Sequence, residues 1–302
     1  MAPWVAARNL LKAARGSRQA RRLMADFRPD VVFVTGGYVA GPVVLAASQA
    51  DVPVFIYLPD VAPGLAIQRM SRLARKIGVT FPEVAGQFPG KAVVTGYPVR
   101  PEILALAGQK AWARQQLGLG AEEPVLLVFG GSRGARSINQ ALAAALTVLL
   151  PRCQVVHISG TLDWPDVEAR VQSLSPELRM RYHVYPYLHD EMPVALAAAD
   201  LVVARAGAST LGEFPALALP SVLVPYPYSG QHQDNNAAYL ADRGAAIKLP
   251  DAELEARLVP VILSLLDDPA ALGAMSTAAH TLARPAAAST IAEELILLAH
   301  TR

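Results

Sequence analysis

Along the chain, short apolar runs alternate with stretches whose apolar residues recur at helical spacing, the pattern of strands and helices in a parallel sheet. The first 25 residues read as a helix, with Ala6, Leu10, Ala13, Ala20 and Met24 on one apolar face that belongs on a core. Arg8, Lys12, Arg15, Arg18 and Arg22 cluster on the other side, with Trp4 and Leu11 in the same sector. Such a basic face suits a surface of anionic lipid, and an ordinary solvated face is the alternative. Strands are predicted at 31–34, 54–58, 78–80 and 93–95, with a helix running through Ala50 and a basic helix over 67–76. Beyond Glu102 a polar helix leads to Gly118 and Gly120. Then come strand 125–129, helix 139–150, strand 154–159, helix 167–173, and strands near 182–185, 200–204 and 221–224. This alternation indicates an α/β protein built from two Rossmann-like halves.

Composition changes the picture little. The 302 residues suffice for two domains with full cores, and a net charge of +2 gives no argument for a nucleic-acid partner. The one cysteine, Cys153, excludes an internal disulfide and suits a reducing compartment as buried filler. With 53% hydrophobic residues a membrane span needs testing, and residues 31–50 carry no charge. Gly36, Gly37, Gly41 and Pro42 break that run midway, so strand, turn and helix is the better reading.

Candidate chemistry concentrates at turns that follow strands. Residues 125–139 read V-L-L-V-F-G-G-S-R-G-A-R-S-I-N, a buried strand, then a turn in which Gly130, Gly131 and Gly134 let the backbone approach a ligand and Ser132 adds a hydroxyl. The helix beginning near Ala135 offers free N–H groups, for which a phosphate or diphosphate is the natural guest, and Arg133 and Arg136 favour that over an empty turn. A second strand-to-helix turn, Arg205-Ala206-Gly207-Ala208-Ser209-Thr210, leads to Glu213. Ser209 or Thr210 in the role of helix cap is the commoner use, and Glu213 can hold sugar hydroxyls or answer the helix dipole. The loop 225–236 is dense in amides and suits a polyhydroxyl ligand; its His232 has no carboxylate partner in sequence. Prolines on both sides of Arg100 fix a cation near a domain hinge.

Taken together, Gly36-Gly37-Tyr38-Val39-Ala40-Gly41-Pro42, Gly96-Tyr97-Pro98-Val99-Arg100, the two turns above with Glu213, and Gln233 with Asn236 resemble the MurG family of bacterial transferases. Members move N-acetylglucosamine from UDP to the C4 hydroxyl of an undecaprenyl-linked muramyl-pentapeptide, with inversion, in peptidoglycan synthesis at the cytoplasmic face of the cell membrane. The resemblance runs through nearly the whole chain. It implies a GT-B fold, two Rossmann-like domains facing across a cleft, and no essential metal or other cofactor. It also implies an acceptor and membrane-side domain over 1–103 and a UDP-sugar domain over 104–302, the last helix packing back on the first. Ala208, Ser209, Thr210, Leu211, Gly212 and Glu213 would hold UDP, with Glu213 on the ribose. Ser132 and Arg100 would lie against the diphosphate and sugar, Asp60 near the sugar, His189 near the uracil, and Gln233 on the N-acetylglucosamine hydroxyls.

Three positions depart in residue type: Asp60 and Tyr97 stand where the family usually has Asn, and Arg133 where it has Gln. Family members also begin with a strand and a Gly-Gly-Thr-Gly-Gly-His loop whose histidine is the expected general base. That segment has no counterpart here, so the N-terminal half is expected to be a truncated sheet with exposed apolar edges, and the catalytic base is unassigned. The readings open at this stage are a transferase with a mis-called start, a UDP-sugar-binding subunit completed by a second chain, and a related glycosyltransferase with another lipid acceptor.

Overall fold

The computed structural model describes residues 3–131 and 134–301, with side chains from Arg15 onward. The side chains of Trp4, Ala6, Arg8, Leu10, Leu11, Lys12 and Ala13 lie outside that range, and Ser132 and Arg133 lie outside the described residues. The chain divides into two compact units, Met1–Pro98 with Ala286–Arg302, and Val99–Pro285.

The first unit holds four parallel strands, β1 (Val32–Val34), β2 (Val54–Leu58), β3 (Lys76–Val79) and β4 (Ala92–Val94), in the order β1-β2-β3-β4. All five residues of β2 are buried, as a strand covered on both faces requires. Phe55 and Tyr57 of β2 receive Ile291 and Leu298 from the C-terminal helix Ala287–Ala299, and Glu294 of that helix pairs with Lys76. Gly78 is the neighbour of Tyr57 in β3, and a Cβ there would stand 2.8 Å from the Phe55 ring. Helix Pro3–Phe27 packs on helix Ala40–Gln49 and buries Ala20, one of the residues expected on its apolar face.

Two expected elements come out differently. The basic helix over 67–76 is a shorter helix, Leu65–Met70, and Lys76 already belongs to β3. Ser71 Oγ donates to Gln68 O at 2.8 Å as the chain turns, and Arg75 N–H then reaches Val54 O, so sheet pairing overrides helical propensity. The polar helix after Glu102 is two short helices, Pro101–Leu104 and Lys110–Gln116, separated by a turn in which Gly108 has a φ of +77°.

The second unit holds six parallel strands: β5 (Val125–Phe129), β6 (Gln154–Ile158), β7 (Tyr182–Tyr185), β8 (Leu201–Ala204), β9 (Ser221–Leu223) and β10 (Ala246–Lys248). Their order is β10-β9-β8-β5-β6-β7. Leu126, Val128, Leu201 and Val203 meet Ile138, Leu142 and Leu146 of helix Arg136–Leu149 and Leu258 and Ile262 of helix Leu254–Leu266. Each such side chain stabilises by about 1.5–3 kcal/mol when fully buried. Val125, Leu127 and Val202 are equally buried on the opposite face, so the sheet is covered on both sides. Asp200 fixes the register at the entry to β8, accepting from Val125 N at 2.7 Å and from Lys110 Nζ at 2.9 Å and pairing with Arg114. Cys153 is buried in this core, which pushes its thiol up to about 12. From β5 the chain adds β6 and β7 on one side, then returns to place β8, β9 and β10 on the other. The strand order therefore reverses between β5 and β8, the point where open α/β sheets leave a crevice at the strand carboxyl ends.

Candidate functional site

At that reversal lies a cavity of about 1030 Å³, bounded by Gly130, Gly131 and Gly134 after β5 and by Arg205, Gly207, Ser209 and Thr210 after β8. The two turns singled out from the sequence thus line one site. Tyr226, Tyr228 and Gln233 close another wall, and Asp163 and Asp251 complete it.

The turn after β5 exists because of its glycines. Gly131 and Gly134 have φ of +88° and +75°, and a Cβ on Gly134 would stand 2.2 Å from Ser159 O. The helix that follows, Arg136–Leu149, starts from Ala135, which supplies no side-chain cap, so among the described residues its first N–H groups have no side-chain acceptor. Arg136 sits at this helix start, 69% exposed, with Nε donating to Asp163 Oδ1 at 3.0 Å.

The turn after β8 is made differently. Ser209 does not cap the helix Thr210–Ala216: its own φ and ψ, −62° and −29°, are already helical, and its hydroxyl makes no capping bond. Thr210 Oγ1 instead donates back to Gly207 O at 2.7 Å, and Asn236 Nδ2 donates to Ala206 O at 3.2 Å, so the turn is held from within and from helix His232–Ala241. Leu211 is buried and Gly212 with it, so of these residues Ser209 and Thr210 face the cavity. Glu213 lies one turn on, where burial raises its carboxyl pKa and the nearby Arg100 opposes that rise. Arg100 and Glu213 are thus brought together within the second unit.

Arg205 was expected only as part of the motif. Its guanidinium is 11% exposed and internally satisfied: it pairs with Asp251, donates to Ser137 Oγ at 2.8 Å and to the carbonyls of Val224 and Pro225 at 3.3 Å, and lies 5.4 Å from the Tyr226 ring centroid. It ties the start of the amide-rich loop to the floor of the cavity. Gln233 does the same from the other side, its Oε1 accepting from Tyr226 N at 2.9 Å. Asp163 and Asp251 were not foreseen. Both follow the carboxyl end of a parallel strand, β6 and β10, which is the one sequence signal that could have found them.

The other candidates fall elsewhere. His189 packs against Tyr187, ring centroids 4.5 Å apart, and is not among the residues lining the cavity; nor are Ala208 and His232. His232 Nδ1 is buried without a hydrogen-bond partner among the described residues. Asp60 belongs to the first unit, in the loop after β2. There Tyr57 donates to Gly96 O at 3.2 Å, and its phenol pKa is raised mainly by burial, with further upward pushes from Tyr97 and Asp60. The two departures at 60 and 97 therefore meet at one buried tyrosine. Among the described residues no group of His, Cys, Asp and Glu side chains is arranged to hold a metal ion, and no single helix is long and apolar enough to cross a membrane.

Two parallel α/β units, one with a ligand-sized cavity at its switch point, are the architecture of the GT-B class of nucleotide-sugar enzymes. The chain belongs to glycosyltransferase family 28: residues 4–79 match the family's N-terminal domain and residues 125–291 its C-terminal domain. A transferase of Roseiflexus sp. named UDP-N-acetylglucosamine–N-acetylmuramyl-(pentapeptide) pyrophosphoryl-undecaprenol N-acetylglucosamine transferase is 42% identical, over 96% of this chain and 74% of its own length. A protein of the same name from Moorella thermoacetica is 43% identical, over 95% of this chain and 79% of its own. The crystal structure of MurG from Acinetobacter baumannii superposes with a TM-score of 0.75 at 28% identity, covering 94% of this chain and 78% of that one.

Proposed function

We propose that the cavity between the turns after β5 and β8 binds the UDP of UDP-N-acetylglucosamine, and that the chain acts as a hexosyltransferase passing N-acetylglucosamine to lipid-linked muramyl-pentapeptide in peptidoglycan synthesis. The observation that carries the reading is the meeting of both turns at one switch-point cavity whose volume is at the upper end of the ~300–1,000 Å³ typical of small-molecule sites. Departure of UDP leaves negative charge on a diphosphate, and free N–H groups at the start of helix Arg136–Leu149 with the exposed Arg136 are suited to stabilise that charge as it develops. In this reading Ser209, Thr210 and the backbone from Ala208 to Gly212 receive the nucleotide, and Glu213 accepts from the ribose hydroxyls with Arg100 beside it. Ser132 adds to the diphosphate contacts, His189 lies by the uracil, and Gln233 and Asp60 serve the sugar.

The first unit would then serve the acceptor at the cytoplasmic face of the membrane. Helix Pro3–Phe27 supports this, since Arg15, Arg18, Arg21 and Arg22 are exposed and Leu23 and Phe27 follow them at 60% and 81% exposure. A second reading keeps donor binding but takes part of the acceptor site from another chain. It is favoured by β1, which pairs only with β2 among the described strands and leaves Phe33 43% exposed.

Calorimetric titration of the purified chain with UDP and UDP-N-acetylglucosamine, alongside Glu213→Ala, tests the donor site. Binding by the wild type that is lost in the variant supports it; a folded chain that binds neither ligand overturns it. Addition of a lipid-linked acceptor then separates the two readings: turnover by the chain alone sustains the first, and binding without turnover sustains the second.

A further inference from the structure

Behind the turn after β5 runs a buried chain of side chains that leads to Arg136. Tyr182, His157, Asn139 and Asp163 are 5%, 0%, 4% and 7% exposed. Asn139 touches two oxygens that can only accept, Asp163 Oδ2 at 2.8 Å and Ser159 O at 2.8 Å, so its Nδ2 must face them and its Oδ1 must face His157. His157 Nε2–H therefore donates to Asn139 Oδ1 at 3.0 Å, and its Nδ1 accepts from the Tyr182 hydroxyl at 2.7 Å. Burial lowers the imidazole to about 4, which keeps it in this neutral tautomer. Every hydrogen in the chain points the same way, toward Asp163.

The outcome at Asp163 is unequal use of its two oxygens. Oδ2 is taken by Asn139, and Oδ1 accepts from Arg136 Nε at 3.0 Å. A carboxylate with both oxygens available closes on guanidinium through two parallel bonds, which would occupy the edge of Arg136 that faces an anion. Here the pairing between them is anchored at Nε, and Arg136, 69% exposed, lines the cavity. The same Nδ2 also holds Ser159 O, the carbonyl on which Gly134 rests.

We propose that Asn139 and Asp163 are positioning residues for anion recognition: Asn139 restrains Asp163 to a single contact, and Asp163 so restrained aims an open Arg136 at the diphosphate. The inference rests on the cavity being the UDP site. In wild type the second oxygen of Asp163 is occupied; with Asn139 gone it turns on Arg136 and competes with the ligand.

Calorimetry with UDP on the whole chain tests this, with circular dichroism to establish folding of each variant. Arg136→Ala should weaken UDP binding by about tenfold or more, the worth of a charge-assisted hydrogen bond. Asn139→Ala should weaken it comparably, and Asn139→Ala combined with Asp163→Ala should recover most of the loss. A merely structural Asn139 predicts the opposite, because removing a second partner deepens the damage. Folded Asn139→Ala with wild-type affinity, or a double variant no better than the single one, overturns the proposal. Should Asn139→Ala not fold, the surface variant Arg136→Lys decides: about tenfold weaker binding supports a required fork, and unchanged binding overturns it. Failure of the wild type itself to bind UDP would sink the reading of the cavity instead.

Discussion

The two turns that meet at the cavity do the same job by different means. After β5 the backbone is forced: two glycines at positive φ, a carbonyl 2.2 Å from where a Cβ would be, and a buried polar chain from helix, β6 and β7 behind it. After β8 nothing is forced. Gly207 does not have a positive φ, a Cβ on it meets nothing within 4 Å, and side-chain hydrogen bonds from Thr210 and Asn236 hold the turn. One turn is thus shaped by steric exclusion and tertiary fastening, the other by local bonds that tolerate change. If the cavity receives UDP as proposed, the rigid turn would set the geometry around the diphosphate without reorganisation, and the second could adapt to the nucleotide.

The sharpest way to break the comparison is Gly134→Ala. The new Cβ collides with Ser159 O in a left-handed conformation, so about 3 kcal/mol or more of stability should be lost, together with UDP binding. Urea denaturation measures the first and calorimetry the second. A variant as stable as wild type would mean that the turn relaxes freely, and the contrast with the second turn would be lost.

The fastening of the first turn also titrates, through His157, whereas Asn236 and Thr210, which hold the second turn, carry no titratable group. His157 is lowered to about 4 in the folded chain, against about 6.5 unfolded. Between those values the unfolded state binds more protons, so this contribution is fully present above pH 6.5 and is lost as pH falls through 4. Its size is on the order of 3 kcal/mol. Denaturation midpoints for wild type and His157→Gln from pH 7.5 to 4.5 should converge as pH falls, because the carboxylates common to both cancel in the difference. Parallel curves would show that His157 does not carry the effect.

A smaller effect is expected from the second turn. Asn236 is fully buried and donates to Ala206 O, so Asn236→Ala leaves that carbonyl without its side-chain donor at a cost of about 1–3 kcal/mol. UDP affinity should fall with it, by a factor small compared with that for Gly134→Ala. Equal losses from the two substitutions would argue that both turns are equally rigid.

What could be read from the sequence follows the same division. The turn after β5 was legible because three glycines directly follow a five-residue apolar run, and the switch point follows from alternation of strands and helices. Its fastening was not legible: Asn139, His157, Asp163 and Tyr182 lie 18 to 25 residues apart across successive bonds, and nothing in local spacing joins them. Ser209 misled as a cap because hydroxyl residues before a helix usually serve there, and here Ser209 is itself helical. The basic helix over 67–76 ran too far because propensity cannot see that Lys76 pairs with Phe55.

The least disruptive change is the most informative control. Gly207 lies in the middle of the second turn, lines the cavity, and has open space where a methyl group would go. If the second turn is set by its hydrogen bonds, Gly207→Ala leaves Thr210 Oγ1 bonded to the carbonyl of residue 207 and Asn236 bonded to Ala206 O. Stability should then change by no more than about 0.5 kcal/mol, or rise by about as much through the smaller entropy of the unfolded chain. Any loss would appear in ligand affinity, because the methyl group would occupy space in the cavity proposed to hold the nucleotide. Near-native stability with weakened UDP binding would place the ligand against Gly207. Loss of both would mean that the second turn, like the first, depends on the absence of a Cβ, and the division between a forced and a tolerant turn would have to be abandoned.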